Sequence, residues 1–245
     1  MSYYHTIVNA KASGAPLIAV LIDPDKLTLA EVPAFMNKVS QTAIAVILVG
    51  GSTVAAGITE PLVAAIKQHT TKPVVLFPGD VGQLTNKADG LLFLMLLSGR
   101  NPEYLIDQQV ASVPFLREAS LEVVSTGYIL LDGGKETATM QVTHTTPIPF
   151  TEINRIKDTA KAGEFMGNKL MYLEAGSGAL HPVPVEVIRE VKQDLTIPII
   201  VGGGIRTEKA LLDTIKSGAD MIVIGTAFEE DETFFEVLQN ITIAK

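Results

Sequence analysis

The segment from Val201 to Arg206 reads VGGGIR and continues the apolar run 197–200. Three glycines where a strand hands over to a helix let an anion approach the backbone closely, because no Cβ intervenes. The helix beyond adds unpaired N–H groups and the positive end of its dipole. A second such place follows the apolar run 221–224, where Gly225 and Thr226 come next. Either cluster alone reads equally well as a tight turn. Two of them at successive strand ends match the phosphate site formed by the last two loops of a (β/α)8 barrel.

Other residues with chemical potential also stand directly after apolar runs. Asp23 and Asp25 end the run 17–22, and Ser52 follows Gly50 and Gly51 after the run 42–49. Adjacent strands lie about 5 Å apart, so Asp23 and Ser52 can share one Mg²⁺, an ion that keeps waters and takes few protein ligands. Asp23 before Pro24 equally suits an Asx turn or a helix cap, and that alternative is stronger for Asp25. Glu174 ends the run 169–173 and precedes small residues, the position of a carboxylate that faces a barrel mouth as a general base. The other reading of Glu174 is a solvated carboxylate or one that pairs with Arg or Lys. Tyr172 lies two residues earlier, on the same side of the strand. Arg100, after the run 89–97, suits a diphosphate clamp or a surface pair. His5, His69, His144 and His181 share no metal-ligand spacing, and none is assigned a chemical role.

These residues need a scaffold that gathers strand ends. Strand patterns occupy 17–22, 42–49, 73–77, 89–97, 127–131, 169–173, 197–201 and 221–224. Helical repeats occupy 28–40, 59–69 (with Thr59 as N-cap), 151–166, 184–194, 207–217 and 230–240. A further helix opens at Asn101-Pro102, and Pro114 divides it from a second helical piece over 114–124. After the third strand only 81–88 is left for a crossover, so the helix expected there is missing or irregular. The polar stretch 132–146 reads as a hairpin or a flap. Eight strands alternating with helices predict one parallel (β/α)8 TIM-barrel domain over 1–245, with its site at the C-terminal strand ends. Lys87-Ala88-Asp89-Gly90 and Ser217-Gly218-Ala219-Asp220 form a faint echo that suits two half-barrels.

Composition sets the outer bounds. With 47% apolar residues, 20 Gly and 13 Pro, the chain can bury a large core and punctuate many short elements. Zero cysteines exclude disulfides and thiolate metal sites and suit a reducing cytoplasm. The opening residues show no basic region followed by an apolar run, and the apolar run 91–97 is too short to span a bilayer. A net charge of −8 and the absence of Trp argue against a nucleic-acid partner.

LIDPDK, GGS, FPG, LLSGRNPEYLI, GYILLDGG, YLEAGSGA, VGGGIR and GTAFEED occur in this order. Together they resemble the geranylgeranylglyceryl phosphate synthase family, and within it the second group. The resemblance implies transfer of a polyprenyl group, geranylgeranyl foremost, from its diphosphate to the 3-hydroxyl of sn-glycerol 1-phosphate. It implies Mg²⁺ on Asp23 and Ser52, and a glycerol phosphate site at Tyr172, Leu173, Glu174, Ala175, Gly176, Ser177, Gly178, Gly203, Gly204, Gly225 and Thr226. Arg100 would then help neutralise the leaving diphosphate, and a homo-oligomer in the cytoplasm is expected. Relatives of the first group and the bacterial heptaprenyl type carry KLDP where this chain has Leu21-Ile22-Asp23-Pro24, so phosphate affinity here rests more on backbone donors. The tail needs an apolar groove, which the absent third helix would open near Phe77 and residues 91–97. The rivals are a sugar-phosphate isomerase or epimerase, which needs a matched acid and base, and a non-catalytic barrel that binds a phosphorylated metabolite.

Overall fold

Short runs of β-branched residues and leucine become eight parallel strands: β1 (Leu17–Ile22), β2 (Ile44–Val49), β3 (Val74–Leu76), β4 (Gly90–Leu96), β5 (Glu122–Leu130), β6 (Leu170–Glu174), β7 (Ile199–Gly202) and β8 (Met221–Ile224). The computed structural model describes residues 2–225, 228 and 234–241. Each strand pairs with the next in the chain, and β8 returns to β1, which closes the barrel. Between and around the strands lie α1 (Tyr3–Ser13), α2 (Val32–Ser40), α3 (Thr59–Lys67), α4 (Gln108–Leu116), α5 (Ala138–Thr143), α6 (Ile153–Phe165), α7 (Val185–Asp194), α8 (Glu208–Lys216) and α9 (Phe234–Asn240).

Strand side chains alternate between two apolar layers, as period-2 geometry requires. Val46, Leu48, Val75, Leu92, Tyr128, Leu130, Tyr172, Ile200 and Val223 fill the barrel, whereas Ile47, Leu76, Leu91, Ile129, Leu173, Val201 and Ile222 pack against the helices. Both layers bury apolar surface, and this explains why the strands read as continuous apolar runs rather than alternating ones.

The wall is uneven. β3 has three residues and pairs with β4 only through Val75–Gly90 and Leu76–Leu91, while β4 pairs with β5 along seven. No α-helix follows β3. A 3₁₀ turn (Val81–Gln83) stands there, opened by the Asp80 carboxylate, which accepts the Gly82 N–H at 2.7 Å. The missing third helix is therefore a feature of the fold.

Three local readings need correction. Thr59 is not a cap but the first residue of α3, buried at 4% exposure, and Ile58 at the cap position offers no side-chain acceptor. Pro114 lies inside α4, where the carbonyl that loses its donor belongs to Val110 on the exposed side of the helix. The second helical piece over 114–124 ends early, because Val123 and Val124 pair in register with Leu91 and Leu92 as part of β5. Residues 132–146, read as a hairpin or flap, instead contain α5, whose cap residue Thr137 accepts the Met140 N–H at 3.3 Å.

The echo before β4 and β8 is structural. Asp89 accepts the Val74 N–H at 2.9 Å and pairs with Lys67 from the end of α3. Asp220 accepts the Ile199 N–H at 2.8 Å and pairs with Lys192 near the end of α7. The same lysine–aspartate–strand clamp thus recurs at equivalent places in the two halves.

The opposite end of the barrel is plugged by α1, which the sequence reading did not anticipate. Tyr3 and Ile7 are fully buried in the interior layer, and the Tyr3 hydroxyl donates to the Leu91 carbonyl at 2.8 Å. Glu122, at the start of β5, receives the Tyr3 N–H at 2.8 Å and the Ser2 hydroxyl, placing a negative charge at the helix N-terminus. Gly90 leaves the room for this plug, since a Cβ there would lie 2.2 Å from the Tyr3 ring. Gly90→Ala should therefore destabilise the fold by about 1–3 kcal/mol in denaturant unfolding, with the larger Gly90→Val worse.

Candidate active site

The C-terminal strand ends surround a cavity of about 500 Å³. Its polar part is lined by Asp23, Ser52, Glu174, Ser177, Gly203, Gly204 and Gly225, so the two anion clusters, the metal candidates and the candidate base share one mouth. Thr226 lies outside the described residues.

Glu174 ends β6 opposite Gly202 of β7. Its carboxylate is buried at 6% exposure and accepts the Gly176 N–H at 2.6 Å. Burial pushes its pKa up to about 7, and the Gly176 N–H and neighbouring Tyr172 offset that only in part. The VGGG segment is shaped around this acid. A Cβ on Gly203 would stand 2.4 Å from the carboxylate, and one on Gly202 would stand 2.3 Å from the Tyr172 hydroxyl. Gly203 and Gly204 also adopt φ of 84° and 70°, a region that favours glycine. The glycines thus seat the acid and the phenol as well as exposing backbone. Thr207 caps α8 and takes the Ala210 N–H at 3.1 Å.

Tyr172 is fully buried, and its hydroxyl has no hydrogen-bond partner of good geometry among the described residues, although it lies close enough to Glu174 to feel its charge. Burial, then Glu174, raises its pKa well above the usual phenol value, so it stays protonated as a donor. Its ring stacks on Phe77 at 5.2 Å and 7°, with Tyr128 5.4 Å away, and these three rings form the floor of the site.

On the opposite rim, Asp23 and Ser52 follow the paired strands β1 and β2, and both line the cavity. The Asp23 carboxylate lies 3.3 Å from where a Gly51 Cβ would be, accepts the Asp25 N–H at 3.0 Å and faces Lys26 at 3.7 Å. Gln83 grips Gly51 from both sides, donating to its carbonyl at 2.8 Å and accepting its N–H at 3.2 Å. The Asp25 carboxylate is occupied by the Ala55 N–H at 3.2 Å. The donor set is hard oxygen, and no group of three or more His, Cys, Asp or Glu gathers among the described residues. Such a pair fits a hydrated Mg²⁺ better than an ion needing a full protein shell.

Arg100 requires correction as a diphosphate clamp. It is exposed, its guanidinium donates to the carbonyls of Leu97 and Gly99, and it does not line the cavity. The strand-end carbonyls need donors and take it first. Leu173 and Ala175 bury their side chains in the outer layer, so only their backbone faces the neighbouring strands. Gly176 and Gly178 shape the loop at φ of 103° and 73°, while Ser177 reaches the cavity. The sequence reading missed Arg206, which lines the cavity and donates to the Ala179 carbonyl, although it belongs to VGGGIR. It also missed α5, whose Thr139 meets Ser52 at 2.9 Å; a six-residue helix in a polar stretch carries little periodic signal.

From the floor the cavity continues along Phe77, Leu84, Leu92, Phe93 and Leu94 into the space left by the missing helix. Phe93 faces outward and Leu92 inward, so the cavity passes the open edge of β4. Gln109 caps that edge by donating to the Leu94 carbonyl. A polar mouth thus runs into an apolar slot.

The family model described as PcrB matches residues 16–244. The chain belongs to this family. It is 52% identical to a geranylgeranylglyceryl phosphate synthase of Zunongwangia profunda, over 92% of this chain and 96% of that one. It is 49% identical to the one of Flavobacterium johnsoniae, over 95% and 96%. The crystal structure of (S)-3-O-geranylgeranylglyceryl phosphate synthase from Thermoplasma acidophilum, in complex with its substrate sn-glycerol-1-phosphate, superposes with a TM-score of 0.91 at 32% identity, covering 98% of this chain and 96% of that one.

The buried phenol and the raised acid each yield a prediction. Tyr172→Phe should change the stability of the free protein by less than about 1 kcal/mol, because the buried hydroxyl makes no hydrogen bond of good geometry and interacts only with Glu174. The same change should weaken glycerol phosphate binding about tenfold, read by calorimetry beside thermal melting. Between 4.5 and about 7 the folded protein keeps a proton on Glu174 that the unfolded chain has released, so this group makes stability fall as pH rises through that window. Glu174→Gln should remove that part of the slope in denaturant titrations repeated across pH.

Proposed function

We infer that the protein joins sn-glycerol 1-phosphate to a polyprenyl diphosphate through an ether bond and releases diphosphate. The observation that carries this reading is one cavity with two characters: a glycine-rimmed polar mouth holding a buried acid, continuous with an apolar slot beside β4. Family membership and the glycerol phosphate in the superposable relative support the same assignment.

In this reading, the backbone at Gly203, Gly204 and Gly225, with Ser177, receives the phosphate of the glycerol. Glu174 accepts the proton of the 3-hydroxyl as its oxygen attacks C1 of the prenyl chain. The carbon–oxygen bond to diphosphate breaks, and the leaving group departs with the electron pair. A base poised near neutrality suits this role, since a substantial fraction is deprotonated near pH 7 while the group remains basic enough to take the proton. Tyr172 orients the glycerol through its hydroxyl beside Glu174. Phe77, Leu84, Phe93 and Leu94 carry the tail, with geranylgeranyl as the expected length.

Asp23 and Ser52 would hold Mg²⁺, which when bound offsets the charge growing on the leaving diphosphate. Charge balance supports a cation there: two anionic substrates meet Asp23 and Glu174 at the mouth of a chain with net charge −8. No helix among the described residues is long and apolar enough to cross a membrane. We propose a cytoplasmic homo-oligomer, in keeping with the cysteine-free sequence and with exposed apolar residues such as Phe165 and Met166.

Incubation with labelled sn-glycerol 1-phosphate, Mg²⁺ and a mixture of prenyl diphosphates should give an organic-extractable ether whose mass reports the chain length. Failure to form it, alongside isomerisation of a sugar phosphate, would overturn the assignment. Glu174→Gln should lower kcat about 10²–10⁴-fold while still binding glycerol phosphate. For the unaltered protein, kcat should rise with pH and level off above about 7.

A further inference from the structure

The geometry points to Thr139 as a positioning residue that sets the Ser52 hydroxyl for the cation and diphosphate side of the reaction. This inference rests on the assignment of Ser52 to that side. Thr139 belongs to α5, which leaves the barrel after β5 and lies across the mouth. Its hydroxyl meets the Ser52 hydroxyl at 2.9 Å across 87 positions of sequence, and both residues line the cavity.

A serine hydroxyl has one proton and two lone pairs. When Ser52 turns a lone pair to a cation, its proton needs an acceptor elsewhere, and Thr139 is the hydroxyl in place to take it. Such outer partners fix the orientation of a ligand and its basicity.

The elements around Thr139 are built to hold it still. Thr137 caps α5, and its methyl group fills the space above Gly176, where a Cβ would collide at 2.3 Å. The Leu180 and His181 N–H groups both donate to the Gly133 carbonyl, at 3.0 and 3.1 Å, locking the start of this segment to the loop after β6. At the far end, the Asn101 amide donates to the Thr143 carbonyl at 3.2 Å, and the Tyr104 hydroxyl donates to the Val142 carbonyl at 3.3 Å. Ser52 is equally constrained: a Cβ on Gly79 would stand 2.7 Å from the Ser52 carbonyl, so the loop after β3 braces the loop after β2. Two braced segments therefore present two hydroxyls to each other, with the Tyr128 hydroxyl also beside Thr139, and an Ala or Val at position 139 would remove this partner from Ser52.

The test compares the unaltered protein with Thr139→Val, which keeps the shape and removes the hydroxyl, and Thr139→Ser, which keeps the hydroxyl. Mg²⁺ is titrated by calorimetry into protein holding inorganic diphosphate, and separately into the turnover assay, with thermal melting and glycerol phosphate affinity measured in parallel. Thr139→Val should need about tenfold more Mg²⁺ in both titrations, with glycerol phosphate affinity unchanged and Thr139→Ser close to the unaltered protein. The inference is overturned if Thr139→Val takes up Mg²⁺ normally, if Thr139→Ser is impaired as far as Thr139→Val, or if glycerol phosphate affinity falls by the same factor. An unaltered protein that binds Mg²⁺ with diphosphate yet forms no ether would remove the proposed function and leave this role of Thr139 intact.

Discussion

The structure depends on a barrel wall that is closed at its base and incomplete at its rim. Parallel strands must pair on both sides to satisfy their backbone, and a closed barrel achieves this without free edges. Here β3 stops after Leu76, so β4 continues past it with one edge unpaired. Gln109 donates to the Leu94 carbonyl and so satisfies part of this edge. A slot lined by Phe77, Leu84, Phe93 and Leu94 follows from that shortfall. A complete wall with an ordinary helix would fill this space and leave a barrel suited only to small phosphorylated ligands.

The opposite half of the mouth is crowded in a complementary way. Gly202 and Gly203 are small because Tyr172 and Glu174 occupy the volume their side chains would need. The result is a carboxylate with one backbone donor, Gly176, and a phenol with none of good geometry, both desolvated and both packed against the glycine segment. Holding polar groups in this condition costs stability, as buried unsatisfied groups do. The cost is sustained by a continuous two-layer core and by the α1 plug beneath it.

Much of this was legible in the residues themselves. Eight apolar runs ending in glycine and acidic residues encode the strand order, and the brevity of 81–88 betrays the missing helix before any coordinate is known. Glu174 and Tyr172 share a face because strand geometry has period 2. Arg100 was misread because sequence shows that an arginine follows a strand but not that the strand-end carbonyls of Leu97 and Gly99 claim it first. Val123 and Val124 were assigned to a helix because their partners in β4 lie about thirty residues away, and pairing at that distance leaves no local pattern. The role of α5 was hidden for the same reason: Thr139 acquires meaning only from Ser52, which reaches it through the fold.

The central claim is that one cavity holds the glycerol phosphate at the glycine rim and the lipid tail beside β4, with Glu174 between them. The most direct measurement is a crystal structure of the protein with sn-glycerol 1-phosphate and geranylgeranyl thiodiphosphate, an unreactive mimic of the donor. The account predicts phosphate density on the backbone of Gly203, Gly204 and Gly225, the 3-hydroxyl within hydrogen-bonding reach of Glu174, and the chain running past Phe77 along the free edge of β4. A tail lying across any other wall, or a glycerol turned away from Glu174, would contradict it.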